Sequence, residues 1–292
     1  MKDELIVSRS PKSPISEIFR TLRTNIQFMS AKDRLKTILI TSTLPEEGKS
    51  WVSSNLACTF AQAGKSVLLV DADMRKGRQY TIFGVAPTPG LSNYLSGVDE
   101  KGEANDDISH YIQKTEVDNL YIMVAGNVPP NPSELLGTER MEDLLNKLKQ
   151  SFDIVIIDGT PNQLVADSLV LTRLVDSTVI VTASKKTKKE DLKRIVNNIK
   201  QVGGKIAGIV VNKITVSTKS YGQSYYYGNK DISTKVKKKN KIGVNDNLVK
   251  PEKPKSKDVY EPILDESIEE DIKENQPNDN NTENNERNNI NG

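Results

Sequence analysis

The sequence predicts an α/β fold, a doubly wound and mainly parallel sheet with an extra N-terminal helix and a disordered C-terminal tail. Three observations predict it. Short runs rich in β-branched residues alternate with helical patterns as far as Val216. Those runs are apolar almost without interruption, as strands buried on both faces must be. Beyond Tyr227 the regular apolar pattern stops and Lys, Asn, Asp, Glu and Pro dominate.

Residues 1–12 hold no apolar stretch of signal-peptide type and are predicted to be a flexible N-terminus. A helix should follow: Ser13-Pro14 supplies a start, and Ile15, Ile18, Phe19, Leu22, Ile26 and Met29 fall on one stripe. Strands are expected at 37–41 (TILIT), 67–70 (VLLV), 120–124 (LYIMV), 154–157 (IVII), 178–181 (TVIV) and 206–211 (IAGIVV). Helices are expected between them at 48–63, 132–150, 166–174 and 188–202. The domain so defined spans residues 13–216. In a sheet of this kind ligands sit at the carboxyl ends of the strands.

The first strand runs into TSTLPEEGKS and then directly into a helix. Gly48, Lys49 and Ser50 match the end of the phosphate-binding pattern G-x-x-x-x-G-K-[ST], with Thr43 in place of its first glycine. The residue types suit the chemistry. Backbone N–H groups at a helix start hold phosphate oxygens, Gly48 permits close approach, Lys49 neutralises charge and Ser50 offers an oxygen to Mg²⁺. Thr43, Glu46, Glu47, Gly48, Lys49, Ser50 and Trp51 are thus the expected cradle of a nucleotide, and the fold is expected to be of the P-loop NTPase type.

Acidic strand ends surround that loop. VLLVDADMR places Asp71 and Asp73 after the second strand, and DIVIIDGTP places Asp158 at the end of another. Asp71 and Asp73, two apart on extended chain, should point the same way. Two acids facing phosphate are costly unless a cation or a proton transfer needs them. Asp71 is the candidate acceptor of a hydroxyl proton, Asp73 a catalytic and metal-shell residue, and Ser50, Asp73 and Asp158 the candidate metal set. Either of Asp73 and Asp158 could instead cap a turn, and Arg75 could meet phosphate or form a surface ion pair.

Composition narrows the remaining classes. One cysteine, Cys58, excludes an intramolecular disulfide and is expected to be packing. No apolar stretch reaches the roughly 18 residues of a spanning helix. A net charge of +2 gives no reason to expect nucleic acid. The tail, residues 229–292, is lysine-dominated to 257 and acidic and asparagine-rich afterwards, which predicts disorder. At its start, SYGQSYYYGNK gathers Tyr221, Tyr225, Tyr226 and Tyr227, although aromatic residues form only 5% of the chain. Such exposed phenols, in residues 217–228, suit a substrate better than a core.

Taken together, TLPEEGKS, LLVDADMR, IVIIDGTP and the tyrosine cluster resemble the bacterial tyrosine kinases, or BY-kinases, of capsule and exopolysaccharide assembly. VPPNPSELL, residues 128–136, is also similar to the family's stretch before the helix leading to the Walker B strand, and the resemblance covers about residues 13–227. It implies the fold of the cell-division and plasmid-partitioning ATPases, with ATP and Mg²⁺ bound at Lys49 and Ser50. It assigns Asp71 as the catalytic aspartate, Asp73 to the metal shell, Asp158 as the Walker B aspartate and Asn212 to the adenine. Family Walker B segments often read IIDTPP where this chain has IIDGTP.

The resemblance also implies that Glu17, Arg20 and Arg23, an E-x-x-R-x-x-R pattern on the outer side of the first helix, join subunits into a homo-oligomeric ring. It implies tyrosine transfer to Tyr221, Tyr225, Tyr226 and Tyr227, further protein-tyrosine substrates, a cognate tyrosine phosphatase and a separate transmembrane activator. A cytoplasmic chain recruited to the inner face of the membrane is the expected localisation. Residues 213–220 can span about 28 Å when extended, enough to bring the cluster back to the sheet edge. The competing reading is a partitioning or positioning ATPase that binds DNA or membrane through Lys185, Lys186, Lys188 and Lys189. That class carries a further lysine early in its P-loop, and residues 41–47 contain none.

Overall fold

Every position of Thr37–Ser42 (β1) is buried, because this strand lies inside a seven-stranded sheet with helices on both faces. A computed structural model describes residues 4–33, 35–99, 101–162 and 166–215. Ahead of β1 lie α1 (Ile6–Arg9) and α2 (Pro14–Asp33). After it come α3 (Lys49–Ala61), β2 (Val67–Asp71), α4 (Gln79–Phe83), α5 (Leu91–Ser96), a 3₁₀ turn (Ile108–Tyr111), β3 (Gln113–Lys114) and β4 (Leu120–Met123). The remainder is α6 (Pro132–Leu136), α7 (Glu139–Ser151), β5 (Ile154–Pro161), α8 (Asp167–Thr172), β6 (Ser177–Ala183), α9 (Lys189–Gln201) and β7 (Ile206–Asn212).

The strand order is β3-β4-β2-β5-β1-β6-β7, and all pairs are parallel except the antiparallel edge pair β3-β4. Alternation along the strands divides the core. Ile38, Ile40, Leu69 and Ile156 pack with Phe19, Ile26, Leu56 and Phe60 of α2 and α3. Leu39, Leu68, Val70 and Ile157 face the other way, against Leu144 and Leu148 of α7. Met141, Leu144, Leu145 and Leu148 are all buried, the i, i+3, i+4, i+7 stripe that seats α7.

Several expectations need correction. The segment expected to be flexible is docked over residues 4–12: Leu5 and Val7 are fully buried. The Val7 N–H donates to Asn55 Oδ1 at 3.1 Å, and Asn55 Nδ2 donates to the Glu4 carbonyl at 2.9 Å. Gln62 Nε2 also donates to the Val7 carbonyl at 3.2 Å, so two apolar side chains and two amides of α3 and its end hold the segment. The expected helix 132–150 is two helices, because Thr138 is extended (φ −79°, ψ 154°) at the N-cap position of a fresh start at Glu139, its hydroxyl donating back to the Leu135 carbonyl at 2.8 Å.

Ser13 caps α2 as expected, accepting from the Ser16 N–H at 3.1 Å. Its apolar stripe is narrower than predicted. Phe19 and Ile26 are buried, whereas Ile18 is 65% exposed and Met29 43% exposed. Ile18 and Met29 stand eleven residues apart, so they share a ridge beside the one that meets α3. The short elements α4, α5 and β3 were not anticipated. Cys58 is buried in α3 as packing, with burial pushing its thiol up to about 12. The segments 217–228 and 229–292, with all four clustered tyrosines, lie outside the described residues.

Candidate nucleotide-binding and active site

The loop between β1 and α3 carries the predicted site, and one position in it must be glycine. Gly48 caps α3 at φ +97°, and a Cβ there would stand 2.2 Å from Asn212 Nδ2. Val52 N–H closes the first helical turn on the Gly48 carbonyl at 2.9 Å. The N–H groups of Lys49, Ser50 and Trp51 therefore precede the helical ladder and are available to phosphate.

The loop is clamped from outside. Asn212 Nδ2 donates to the Glu47 carbonyl (2.9 Å), Lys213 Nζ to the Glu46 carbonyl (2.5 Å) and Lys186 Nζ to the Pro45 carbonyl (2.9 Å). Two of the expected site residues also serve the loop itself. The Glu47 carboxylate is buried within the protein, accepting from the Leu44 N–H at 2.7 Å and from the Thr187 hydroxyl. One N–H of the Asn212 amide secures the loop, and its Oδ1 accepts from the Lys213 N–H at 2.8 Å. The Trp51 ring packs edge-on against Phe19 of α2, 5.2 Å between centroids. Helix geometry leaves only its backbone for a phosphate. Glu46, by contrast, is exposed at a left-handed φ of +63°.

Lys49 gathers the acids. Its Nζ lies 3.0 Å from Asp73 Oδ2, 3.6 Å from Asp158 Oδ1 and 3.3 Å from Ser50 Oγ. Burial pulls the ammonium pKa down, but Asp158, then Asp73 and Asp71, outweigh it and hold the group above its ordinary value. Asp71 and Asp158 are register partners on adjacent strands. Asp158 lies inside β5 rather than at its end, because β5 continues to Pro161. Gly159 explains the departure at IIDGTP. A Cβ there would stand 2.4 Å from Ser168 Oγ, so glycine lets α8 close on the strand.

Asp71 is fully buried, accepting from the Asp73 N–H (3.2 Å) and the Gln79 N–H (2.9 Å). Burial first, then the Asp158 charge, push its pKa up to about 7 against the pull of the Gln79 N–H and Lys49. Asp73 takes the turn-capping alternative with Oδ1, which accepts from the Lys76 N–H at 3.0 Å, while Oδ2 faces Lys49. Arg75 resolves as an ion pair, bidentate on the buried Asp167 at 2.9 and 3.2 Å. Sequence reasoning missed Gln79, which bonds to Asp71, Asp158 and α3 together; it belongs to no motif and carries no charge.

The residues fit a phosphate ester with a divalent cation. Thr43 Oγ1 is buried without a hydrogen-bond partner beside the loop, and three carboxylates face one ammonium. Among the described residues no three His, Cys, Asp or Glu stand in ready ligand geometry.

Away from the loop, the three residues expected at a subunit interface divide. Glu17 and Arg20 pair with each other on the exposed side of α2. Arg23 turns inward, Nη1 donating to the Thr59 carbonyl of α3 at 3.0 Å. It sits one turn after the buried Phe19, on the flank of the packed stripe.

The comparisons with known proteins agree with this geometry. Residues 35–211 match the AAA domain family. Tyrosine-protein kinase YwqD of Bacillus subtilis is 38% identical over 232 residues, covering 79% of this chain and 94% of the relative. The chain belongs to the bacterial tyrosine kinases. Among solved structures, the chimerical protein CapA2B2 superposes on this BY-kinase domain with a TM-score of 0.68 at 36% identity, covering 74% of this chain and 92% of that one. The septum site-determining protein MinD of Pyrococcus horikoshii, complexed with Mg-ADP, has a TM-score of 0.51 at 21% identity. It covers 64% of this chain and 76% of its own, and shares the fold alone. A BY-kinase on a P-loop ATPase-type domain binds nucleotide. No helix among the described residues is long and apolar enough to cross a membrane.

Proposed function

We propose that this BY-kinase transfers the terminal phosphoryl group of Mg²⁺-ATP to tyrosine, first to its own Tyr221, Tyr225, Tyr226 and Tyr227. The observation that carries the reading is Lys49, held at the start of α3 between Asp73 and Asp158 with Asp71 behind them. Phosphoryl transfer is mostly positioning and charge neutralisation. The N–H groups of Lys49, Ser50 and Trp51 bind phosphate oxygens, and Thr43 Oγ1 finds its missing partner there. Ser50, Asp73 and Asp158 would hold Mg²⁺, which supplies charge neutralisation when bound.

In the transfer, a tyrosine oxygen forms a bond to the γ-phosphorus, the bond to the bridging oxygen breaks to leave ADP, and the phenol proton passes to a base. A phenol with a reference pKa near 10 needs that base. Asp71, near 7, is tuned to accept a proton at neutral pH. Gly77 closes the turn over it: a Cβ there would stand 3.0 Å from Asp71 Oδ2. Tyrosine entry therefore requires that turn to open.

The wider reading follows the family. The kinase acts in capsular or exopolysaccharide polymerisation and export, is recruited to the inner membrane face by a separate transmembrane activator, and is reversed by a tyrosine phosphatase. Glu17 and Arg20 offer exposed charges for a ring interface, and repulsion among phosphotyrosines would disperse the ring. The test is to incubate the full chain with Mg²⁺-ATP and map phosphate by mass spectrometry. Phosphate on the four tyrosines, lost in Lys49→Met, supports the reading. Phosphate release with no phosphotyrosine would favour a switch ATPase instead.

A further inference from the structure

Gln79, the first residue of α4, is fully buried and reaches every part of the site from behind. Its Nε2 lies 2.8 Å from Asp158 Oδ2 and 3.1 Å from the Ser50 carbonyl. Both are acceptors, so the amide must present its NH₂ group to them, which leaves Oε1 for the Ser54 hydroxyl at 2.8 Å. Its backbone N–H meanwhile donates to Asp71 Oδ2 at 2.9 Å. One residue thus ties β2, β5 and the phosphate-binding end of α3. The chain beside it is anchored as well: Arg78 Nη2 donates to both oxygens of Glu4, at 2.7 and 2.9 Å.

Asp158 shows what the tie does. Oδ2 is taken by Gln79 and Oδ1 receives Ser53 Oγ at 3.2 Å with Lys49 3.6 Å away. The amide thereby selects which carboxylate oxygen turns toward Lys49 and the phosphate end of α3. A carboxylate without such a tie is free to rotate about its last torsion.

We propose that Gln79 is a positioning residue for phosphoryl transfer, holding Asp158 and Asp71 in fixed register with the start of α3. The inference rests on the reading of Lys49, Ser50 and Asp158 as the Mg²⁺-ATP site. Groups behind a metal ligand are typically worth about 10- to 100-fold in metal affinity or activity. Gln79 acts on orientation, so nucleotide affinity without Mg²⁺ should barely move.

The experiment compares wild type, Lys49→Met, Gln79→Met and Gln79→Glu as full chains. Isothermal titration calorimetry reads nucleotide binding with and without Mg²⁺. MgCl₂ titrations at saturating ATP report half-saturation and kcat for tyrosine labelling. For Gln79→Met the expected result is ATP affinity without Mg²⁺ within about threefold of wild type, with MgCl₂ half-saturation raised or kcat lowered about tenfold or more.

Gln79→Glu adds a readout that packing alone does not move. Protonated, its carboxyl donates to Asp158 as the amide does; ionised, it faces the charges of Asp158, Asp71 and Asp73, with Lys49 the nearby cation. Its rate relative to wild type should rise as pH falls. Should Gln79→Met fail to fold, a flat ratio for Gln79→Glu overturns the proposal on its own. Wild-type kcat and Mg²⁺ dependence in Gln79→Met, with Lys49→Met inactive, overturns the role of Gln79 alone. Loss of nucleotide binding and labelling in the wild type overturns both it and the site reading.

Discussion

Nζ of Lys49 stands 3.0 Å from Oδ2 of Asp73, so the phosphate-binding lysine is already engaged by an acid of the second aspartate motif. Phosphate must compete for that ammonium, and a divalent cation on the acids would release it. Lys49→Met leaves Asp71, Asp73 and Asp158 facing one another uncompensated. Removing one partner of a buried ion pair costs about 3–5 kcal/mol. The expected outcome is loss of tyrosine labelling together with a drop in urea-melt stability of that order, partly recovered below neutral pH as Asp71 takes a proton. Unchanged stability would show that Lys49 does not balance the acids.

Asp71 gives a pH dependence of definite sign. Its folded pKa, about 7, lies above the ordinary carboxylate value of 3.8. The folded state therefore holds a proton that the unfolded state has lost between these values. The associated stability is complete below the unfolded pKa and disappears as pH rises through about 7. Wild-type unfolding free energy should fall more steeply between pH 5 and 8 than that of Asp71→Asn. Comparing slopes removes the constant offset from replacing one acceptor by an amide N–H. Labelling, which needs the ionised base, should run the other way and rise through neutral pH.

Gly48→Ala should fail for two separable reasons. The added Cβ meets Asn212 Nδ2, and φ +97° strains any residue that has a Cβ. Strain of this kind costs about 1–3 kcal/mol. Asn212→Gly removes the collision but also the hydrogen bond to the Glu47 carbonyl, so it serves as the reference: by calorimetry Gly48→Ala should cost less in the Asn212→Gly background than in the wild type, with the strain as the remaining cost.

Arg75→Ala distinguishes an ion pair from a phosphate contact. Asp167 is fully buried beneath Arg75 and also accepts from the Ser133 hydroxyl, tying α8 to α6. The expected loss is about 1–2 kcal/mol, below the fully buried range because the Arg75 side chain is 42% exposed. KM for ATP should stay unchanged in the folded fraction; a large rise in KM with unaltered stability would return Arg75 to the phosphates.

The sheet was legible because five of its strands are essentially buried on both faces and so are written as continuous apolar runs, and the edge strand β7 is written the same way although Ile209 and Val211 stay exposed. The phosphate loop was legible because Gly48, Lys49 and Ser50 sit where a strand meets a helix, and each has a chemical reason to be there. Short pieces were not. Gln113–Lys114 pairs antiparallel at the edge with no periodicity to announce it, and α4 has five residues. Contacts between distant segments were equally silent: Arg75 finds Asp167 92 positions away, and Gln79 finds Asp158 79 away. The inward turn of Arg23 was silent too: the helical wheel put it on the outer side, and its partner, the Thr59 carbonyl, is a backbone atom 36 positions away. Docking of residues 4–12 depended on Asn55, a polar residue within an apolar helix face.

The most direct test of the account is the position of phosphate on the full chain after incubation with Mg²⁺-ATP. Tandem mass spectrometry should place phosphate on Tyr221, Tyr225, Tyr226 and Tyr227, with labelling abolished by Lys49→Met and reduced by Asp71→Asn. Labelling undiminished in Lys49→Met, or ATP turnover with all four tyrosines unmodified, would contradict the claim that this site phosphorylates the chain's own tyrosine cluster.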